Sequence, residues 1–357
     1  MRGEIWRNLC RVSSPGSQAK TRGNEWTGGS ACPTKRYDGC VIQTAAIFGA
    51  AGAIGVPIAT ELNRRGISFR VVGRNKAKLQ SVFGQMTKAE VFDADLAELR
   101  SASAAARGID TIFYCVGLPY PSHRLHPVLM RTTVDAAIAM QVKQLVLVSS
   151  VYGYGVPRTS RVAETHPREP EALKGQYRKE QEDVVLDAPK NGPIQSLIVR
   201  LPDFYGPGAD IGLANPIFRA ALAGKTANWI GQVNTPHEFV YVPDTGPVIV
   251  DLASCDECYG QAWNLAGPAQ INTLDFITRV YRAVGGSPKY RTAGRTLLKM
   301  MGWFSPLMRE LPEMLYLQET PVLLDDAKLL AKFPNLHKTP YDEGIAKTIE
   351  WMRNGSK

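Results

Sequence analysis

Short apolar runs alternate with helix-period segments along most of the chain. The runs lie at residues 44–48, 68–72, 91–92, 111–116 and 144–149, and residues 55–65 and 128–140 between them carry helical spacing. Strands this apolar are buried on both faces, so the alternation predicts a parallel sheet with helices on each side, a doubly wound α/β fold. Beyond residue 207 the pattern loosens. Helical segments at 213–223, 245–253 and 273–284 and extended segments at 237–242 and 261–265 predict a smaller C-terminal lobe. In such folds ligands bind outside the carboxyl ends of the strands, where Gly117 and the Ser149-Ser150 pair fall.

Residues 1–38 break the pattern. They are rich in Ser, Gly, Arg and Lys, lack a sustained apolar period and lack the apolar core of a secretory signal, so they are expected to be disordered. The natural start of the first strand, Val41-Ile42-Gln43-Thr44, points to translation beginning near Val41, which makes residues 1–40 an inert or spurious extension; a transit peptide is the alternative. The expected units are residues 1–40, a doubly wound core over 41–206, and a smaller lobe with closing helices over 207–357.

Composition narrows the function classes. The 357 residues are 44% hydrophobic and 21% charged, an ordinary globular mix. The formal net charge is +9, of which the first 40 residues supply +4. The remaining excess is too diffuse for a nucleic-acid footprint. Six cysteines in so long a chain form no disulfide framework and favour a reducing, cytoplasmic setting. Residues 39–60 carry no charge, yet Gly49, Gly52, Gly55 and Pro57 interrupt them, and a membrane span is rejected.

Those glycines carry the first chemistry. The strand at 44–48 runs into Gly49-Ala50-Ala51-Gly52-Ala53-Ile54-Gly55 and then a helix. A strand-glycine-turn-helix unit with a further strand behind it places unpaired backbone N–H groups against a pyrophosphate, with glycine where the backbone turns, nears the ligand and packs on the sheet. Gly49, Gly52, Ala53, Ile54 and Gly55 are therefore candidate dinucleotide-binding positions. The second strand ends in Val72-Gly73-Arg74-Asn75-Lys76, without the carboxylate that would bond the ribose hydroxyls of NAD. Arg74 can pair with a 2′-phosphate, so the expected cofactor is NADP, with NAD as the alternative. Asp95 follows the third strand, placed to face the adenine or to cap the next helix, and Gly117 follows the fourth.

Three further blocks carry a resemblance: Leu147-Val148-Ser149-Ser150-Val151-Tyr152-Gly153-Tyr154-Gly155, Val199-Arg200-Leu201-Pro202-Asp203-Phe204-Tyr205-Gly206-Pro207-Gly208, and His237-Glu238-Phe239-Val240-Tyr241-Val242-Pro243-Asp244. In this order, behind the glycine turn, they resemble the extended, atypical short-chain dehydrogenases/reductases, the NAD-dependent epimerase/dehydratase family. The resemblance implies a Rossmann-type sheet, hydride transfer at a carbinol or carbonyl carbon, and Ser150 as the hydroxyl that bonds the reacting oxygen. It also implies a Tyr-x-x-x-Lys pair on a helix, and here the chain departs. Over Lys174-Gly175-Gln176-Tyr177-Arg178-Lys179-Glu180-Gln181-Glu182, aligning the family's glycine and glutamate puts Lys174 in the tyrosine position and Arg178 in the lysine position. Arg178 can still donate to ribose hydroxyls. Lys174 is a candidate proton donor, and Tyr177 is the phenol in the other register. Without redox turnover, the chain would be an NADP-binding sensor or partner-binding module.

In the lobe, the resemblance points to Asp203, Tyr205, His237 and Tyr241 as substrate contacts. Cys255-Asp256-Glu257-Cys258 is expected on an exposed loop with no second pair to complete a zinc site, and the five histidines have no metal-ligand spacing, so no metal is expected. Residues 296–316 form an apolar stretch expected as a lid or packing helix, with a dimer surface and a membrane-surface helix as alternatives. The expected partner is a small molecule, a sugar nucleotide or another carbonyl or hydroxyl compound, with no nucleic acid and no membrane, and a homodimer is the candidate assembly.

Overall fold

The computed structural model describes residues 42–210 and 212–355. The expectations for residues 1–40 and for a start near Val41 lie outside the described residues. Five strand-helix pairs and a sixth strand build the first half: β1 (Thr44–Phe48), α1 (Gly55–Arg64), β2 (Ser68–Gly73), α2 (Lys76–Phe83), β3 (Ala89–Asp93), α3 (Leu99–Ala106), β4 (Thr111–Tyr114), α4 (Leu125–Ala139), β5 (Gln144–Ser150), α5 (Leu173–Asn191) and β6 (Gln195–Leu201). The strands β1, β4 and β5 are buried along almost their whole length, as the apolar runs require.

The second half continues with β7 (Asp203–Tyr205), α6 (Asn215–Leu222), β8 (Ala227–Ile230), β9 (Pro236–His237), β10 (Phe239–Tyr241), α7 (Val242–Ala253), β11 (Ala262–Asn264), β12 (Ile271–Asn272), α8 (Thr273–Ala283), β13 (Tyr290–Ala293), α9 (Arg295–Met301), α10 (Pro306–Glu310), α11 (Tyr316–Glu319), α12 (Ala327–Lys332) and α13 (Tyr341–Gly355). The main sheet runs β11-β6-β5-β4-β1-β2-β3, all parallel. Its order reverses beside β1, which places the topological switch point at the glycine turn.

Two segments assigned by pattern to the lobe belong to the core layers. Trp263 on β11 pairs with Val199 on β6, extending the main sheet. Helix α7 packs on α1, and Gly246 makes the contact feasible: a Cβ there would stand 2.2 Å from the Pro57 carbonyl oxygen. Arg65 ties the same layers through Asp251 at 2.6 Å. The lobe keeps its own aromatic core, with Tyr205, Phe218, Trp229, Phe239, Phe276 and Tyr341 buried together.

Residues 296–316 do not form one packing helix. Gly302, Pro306 and Pro312 divide them into α9, α10 and a 3-10 turn at Pro312–Met314. Cys255 and Cys258 are buried rather than exposed, their sulfurs 2.6 Å apart. The 3-10 turn Asp256–Cys258 folds them inward, and the Trp263 indole N–H donates to the Cys258 carbonyl at 2.8 Å. Among the described residues there is no cluster of metal-ligating side chains, and no helix is long and apolar enough to cross a membrane.

Candidate active site

The glycine turn is built on three different constraints. Gly49 has a φ of +83°, and a Cβ on it would press within 2.9 Å of the Cys115 and Val116 backbone. A Cβ on Gly52 would meet the Gly49 carbonyl oxygen at 3.2 Å, whose oxygen already accepts from the Gly52 N–H at 3.0 Å. One on Gly55 would stand 2.4 Å from the Ala50 carbonyl oxygen, so the first turn of α1 lies directly on the loop. Helix α1 has no side-chain cap at Ile54 and no acidic residue in its first turn. Its leading N–H groups therefore face the turn without a competing carboxylate, an arrangement suited to an anion.

At the end of β2, Arg74 is exposed and forms no ion pair among the described residues, while the Asn75 side chain caps α2 by accepting from the Lys78 N–H at 2.9 Å. The carboxylate nearest this edge in register is Asp93, opposite Gly73 and 3.8 Å from the Lys76 ammonium. Asp95 accepts from the Ala97 N–H at 3.0 Å, closing a turn ahead of α3. Gly117 is exposed on the loop after β4.

Helix α5 buries Lys174, Gly175, Arg178, Gln181, Glu182 and Val185 along one stripe, and leaves Tyr177 half-buried off it. Spacing of three and four residues thus brings Lys174 and Arg178 to the same inner face. Gly175 sets the approach: a Cβ would stand 2.7 Å from the Tyr152 carbonyl oxygen. Tyr177 shares neither that stripe nor a cation, because Gln181 is occupied in accepting from Arg178 at 2.7 Å.

Lys174 and Arg178 have different surroundings. Arg178 donates to the Val148 carbonyl at 3.3 Å and to His126 Nδ1 at 3.3 Å, and its Nε is buried without a partner. The Lys174 ammonium donates to Glu310 and Glu313, each at 2.7 Å, and its backbone N–H donates to the other Glu313 oxygen at 2.8 Å. Both carboxylates come from the segment after α9. Position 174 is therefore a tether, with its charge consumed in an ion pair.

Ser150 ends β5 with its Oγ buried and unpartnered. The preceding Ser149 donates to Glu182 at 2.5 Å, and Glu182 also pairs with Arg200 at 2.7 Å and Arg168 at 3.2 Å. In the 3-10 turn Val151–Tyr154 the tyrosines divide. Tyr154 donates to Asn264 and accepts from Arg200, both at 2.8 Å, and is structural. Tyr152 turns to the site, its hydroxyl 3.1 Å from that of Tyr120. Burial pushes both phenols above the ordinary tyrosine range, and the charge of Asp203 adds to this. Both phenols remain protonated donors at neutral pH.

His123 and His126, which sequence reasoning misses, lie beside Arg178. His123 Nε2 is 3.2 Å from the Leu118 carbonyl, which makes that nitrogen the N–H donor and leaves Nδ1 as a buried, unpartnered acceptor. Burial, with Arg178 and Lys174 nearby, brings His123 down to about 4, so the ring is neutral. Burial and Arg178 likewise hold His126 neutral. Tyr114 adds an unpartnered buried hydroxyl, shifted upward by burial. Unpartnered polar atoms thus gather at the carboxyl ends of β4 and β5.

On the lobe side, Asp203 Oδ2 is 2.8 Å from His237 Nε2 and acts electrostatically on Tyr120 and Tyr152. Tyr205 and Tyr241 are core residues instead, because their rings lie in the aromatic cluster, 5.5 Å apart between centroids.

The family model described as NAD(P)H-binding matches residues 49–202, from the first glycine of the turn to the end of β6. Over residues 49–202 the chain is similar to NAD(P)H-binding domains. No curated protein sequence matches the chain. Solved structures share the architecture well beyond this matched region. A dTDP-glucose 4,6-dehydratase from Bacillus anthracis, in complex with NAD, is 16% identical with a TM-score of 0.73, covering 88% of this chain and 97% of its own. A UDP-glucuronic acid 4-epimerase from Bacillus cereus, in complex with NAD, is 16% identical with a TM-score of 0.73, covering 88% and 100%. The UDP-glucose 4-epimerase of Thermotoga maritima, with UDP-glucose, gives the same values. The resemblance to NAD-dependent epimerases and dehydratases holds at the level of fold.

Proposed function

We propose that the protein is an NADP-preferring oxidoreductase of the epimerase/dehydratase type, acting by hydride transfer at a carbinol or carbonyl carbon. A sugar nucleotide is the candidate substrate class, as in the structural neighbours, and a cytoplasmic setting goes with this reading. The observation that carries it is the set of unpartnered polar atoms on Ser150, Arg178, His123 and Tyr114, gathered at the carboxyl ends of β4 and β5 where the glycine turn packs on Cys115 and Val116. Buried polar atoms without partners are costly unless a ligand completes them.

In this reading the N–H groups of residues 53–55 hold the pyrophosphate, Arg74 pairs with the 2′-phosphate, and Asp95 and Gly117 flank the adenine and the nicotinamide half. The bound dinucleotide supplies the hydride acceptor or donor. Ser150 donates to the substrate oxygen. Arg178 positions the nicotinamide ribose, doing by hydrogen bonds what the family's lysine does. His123 Nδ1 is the free acceptor in the cluster and the phenols of Tyr120 and Tyr152 are donors, so proton transfer passes to these groups while Lys174 is held. Tyr177 would contribute only after a change in α5. Asp203, braced by His237, faces the substrate from the lobe.

A second reading is favoured by one observation, the Lys174 tether: a non-catalytic NADP-binding module in which the proton-transfer position has become structural. Calorimetric titration with NADP(H) and NAD(H), on wild type and Arg74→Ala, tests the shared part. NADP(H) affinity is expected to fall by about tenfold or more in the variant with NAD(H) affinity unchanged, and failure to bind either dinucleotide overturns both readings. NADPH oxidation across carbonyl compounds, abolished in Ser150→Ala, separates the enzyme from the module.

A further inference from the structure

The segment from β13 to α10 leaves an unusual surface. Leu297 is 44% exposed, Met300 54%, Met301 41%, Trp303 81% and Phe304 89%, five large apolar side chains within eight residues. Leu297, Met300, Met301 and Phe304 recur at helical spacing of three, four and seven, which would ordinarily mark an inward face. Here the inward anchor is Leu298, packed with Leu311 and Leu315, and the stripe points to solvent. A patch this apolar on a folded surface marks a docking site.

Its charge identifies what docks. Between Asp275 and Glu310 the chain has seven basic residues and no acidic one. Arg279 pairs with Asp342 and Arg295 with Glu319, while Lys299 and Arg309, on either side of the apolar tip, form no ion pair among the described residues. The nearby Glu310 and Glu313 share the Lys174 ammonium, which offsets one of their two charges. We infer that residues 290–309 dock on an anionic lipid bilayer, with Trp303 and Phe304 entering the interface and Lys299 and Arg309 meeting the headgroups. Aromatic tips with a basic collar are suited to an apolar layer beneath negative charge. A two-fold contact between copies would instead set Lys299 and Arg309 against like charges.

Flotation of the full chain with vesicles of phosphatidylcholine alone, and of phosphatidylcholine with phosphatidylglycerol, tests this. Binding is expected to the anionic vesicles only, and is released by added salt. Trp303→Ser with Phe304→Ser weakens it by about tenfold or more, and Lys299→Gln with Arg309→Gln weakens it while leaving the apolar tip intact. NADP(H) titration and thermal melting of each variant check that the fold is kept. Absence of binding to anionic vesicles, or equal binding by the Trp303/Phe304 variant, overturns the inference. A dimer in light scattering that the same variant dissociates, without vesicle binding, would overturn it in favour of a second copy.

Discussion

The Lys174 ammonium stands 2.7 Å from Glu313 Oε2, and the Lys174 backbone N–H donates to the other oxygen of the same carboxylate. One residue of the α5 stripe is thus bonded twice to a glutamate 139 positions away. Lys174→Met keeps the stem and removes the charge, leaving Glu310 and Glu313 together without their cation. The loss should be on the order of 3 kcal/mol by chemical denaturation. Hydrogen exchange should accelerate across residues 306–319 and stay unchanged in β1 and β2; unchanged exchange over 306–319 would mean that the apolar contacts of Leu311, Met314 and Leu315 hold the segment alone.

Glu182 is fully buried and holds Arg200, Arg168 and Ser149 at once. In Glu182→Ala the Arg200 guanidinium stays buried without its counter-charge, at a cost of about 3–5 kcal/mol. The midpoint of urea unfolding should fall accordingly. Glu182→Gln, which keeps hydrogen-bond acceptance but not charge, should fall between the two proteins.

Glu238 provides a pH test. Burial raises its carboxyl to about 7, opposed only in part by the Leu324 N–H and by Arg161 at 3.6 Å. Between 4.5 and about 7 the folded protein keeps a proton that the unfolded chain has released, so this group's contribution falls as pH rises through that window and is lost above it. Glu238→Gln keeps the bond to Leu324 and removes the ionisation. The variant should exceed the parent in stability by about 3 kcal/mol near pH 8, with the difference vanishing near pH 4; equal pH profiles for the two proteins would show that Arg161 fully compensates the charge.

Gly55→Ala should open the glycine turn, because the added carbon meets the Ala50 backbone at 2.4–2.7 Å. A stability loss of about 1–3 kcal/mol is expected, with dinucleotide affinity falling alongside it in calorimetric titration. Gly294→Ala is the control, since nothing lies within 4 Å of a Cβ there. A Gly55→Ala protein that binds NADP(H) as the parent does would remove the turn from the cofactor site.

The main sheet was legible because its strands are short, apolar and separated by turn chemistry, and the glycine turn because three glycines meet three separate steric demands. The common inner face of Lys174 and Arg178 was equally legible, since the burial stripe of α5 follows from spacing alone. What Lys174 does was not, because Glu310 and Glu313 reach it only through the tertiary fold. Tyr205 and Tyr241 carry hydroxyls that suggest contacts, yet whether a tyrosine faces a ligand or a neighbouring ring depends on packing that no local pattern records. His123 was hidden for a related reason: its tautomer is set by the Leu118 carbonyl on a loop without a regular period.

The return of β11 to the edge of β6, and of α7 to the face of α1, sets when the molecule can finish folding. During synthesis, the strand edge of β6 and the apolar side of α1 emerge well before their covers at residues 242–264. Until then the nascent chain presents an open edge and an uncovered helix, the features that invite misassociation. A fragment cut after residue 206 would stop at that stage, so the first half of the chain depends on residues 242–264 to become an autonomous folded unit.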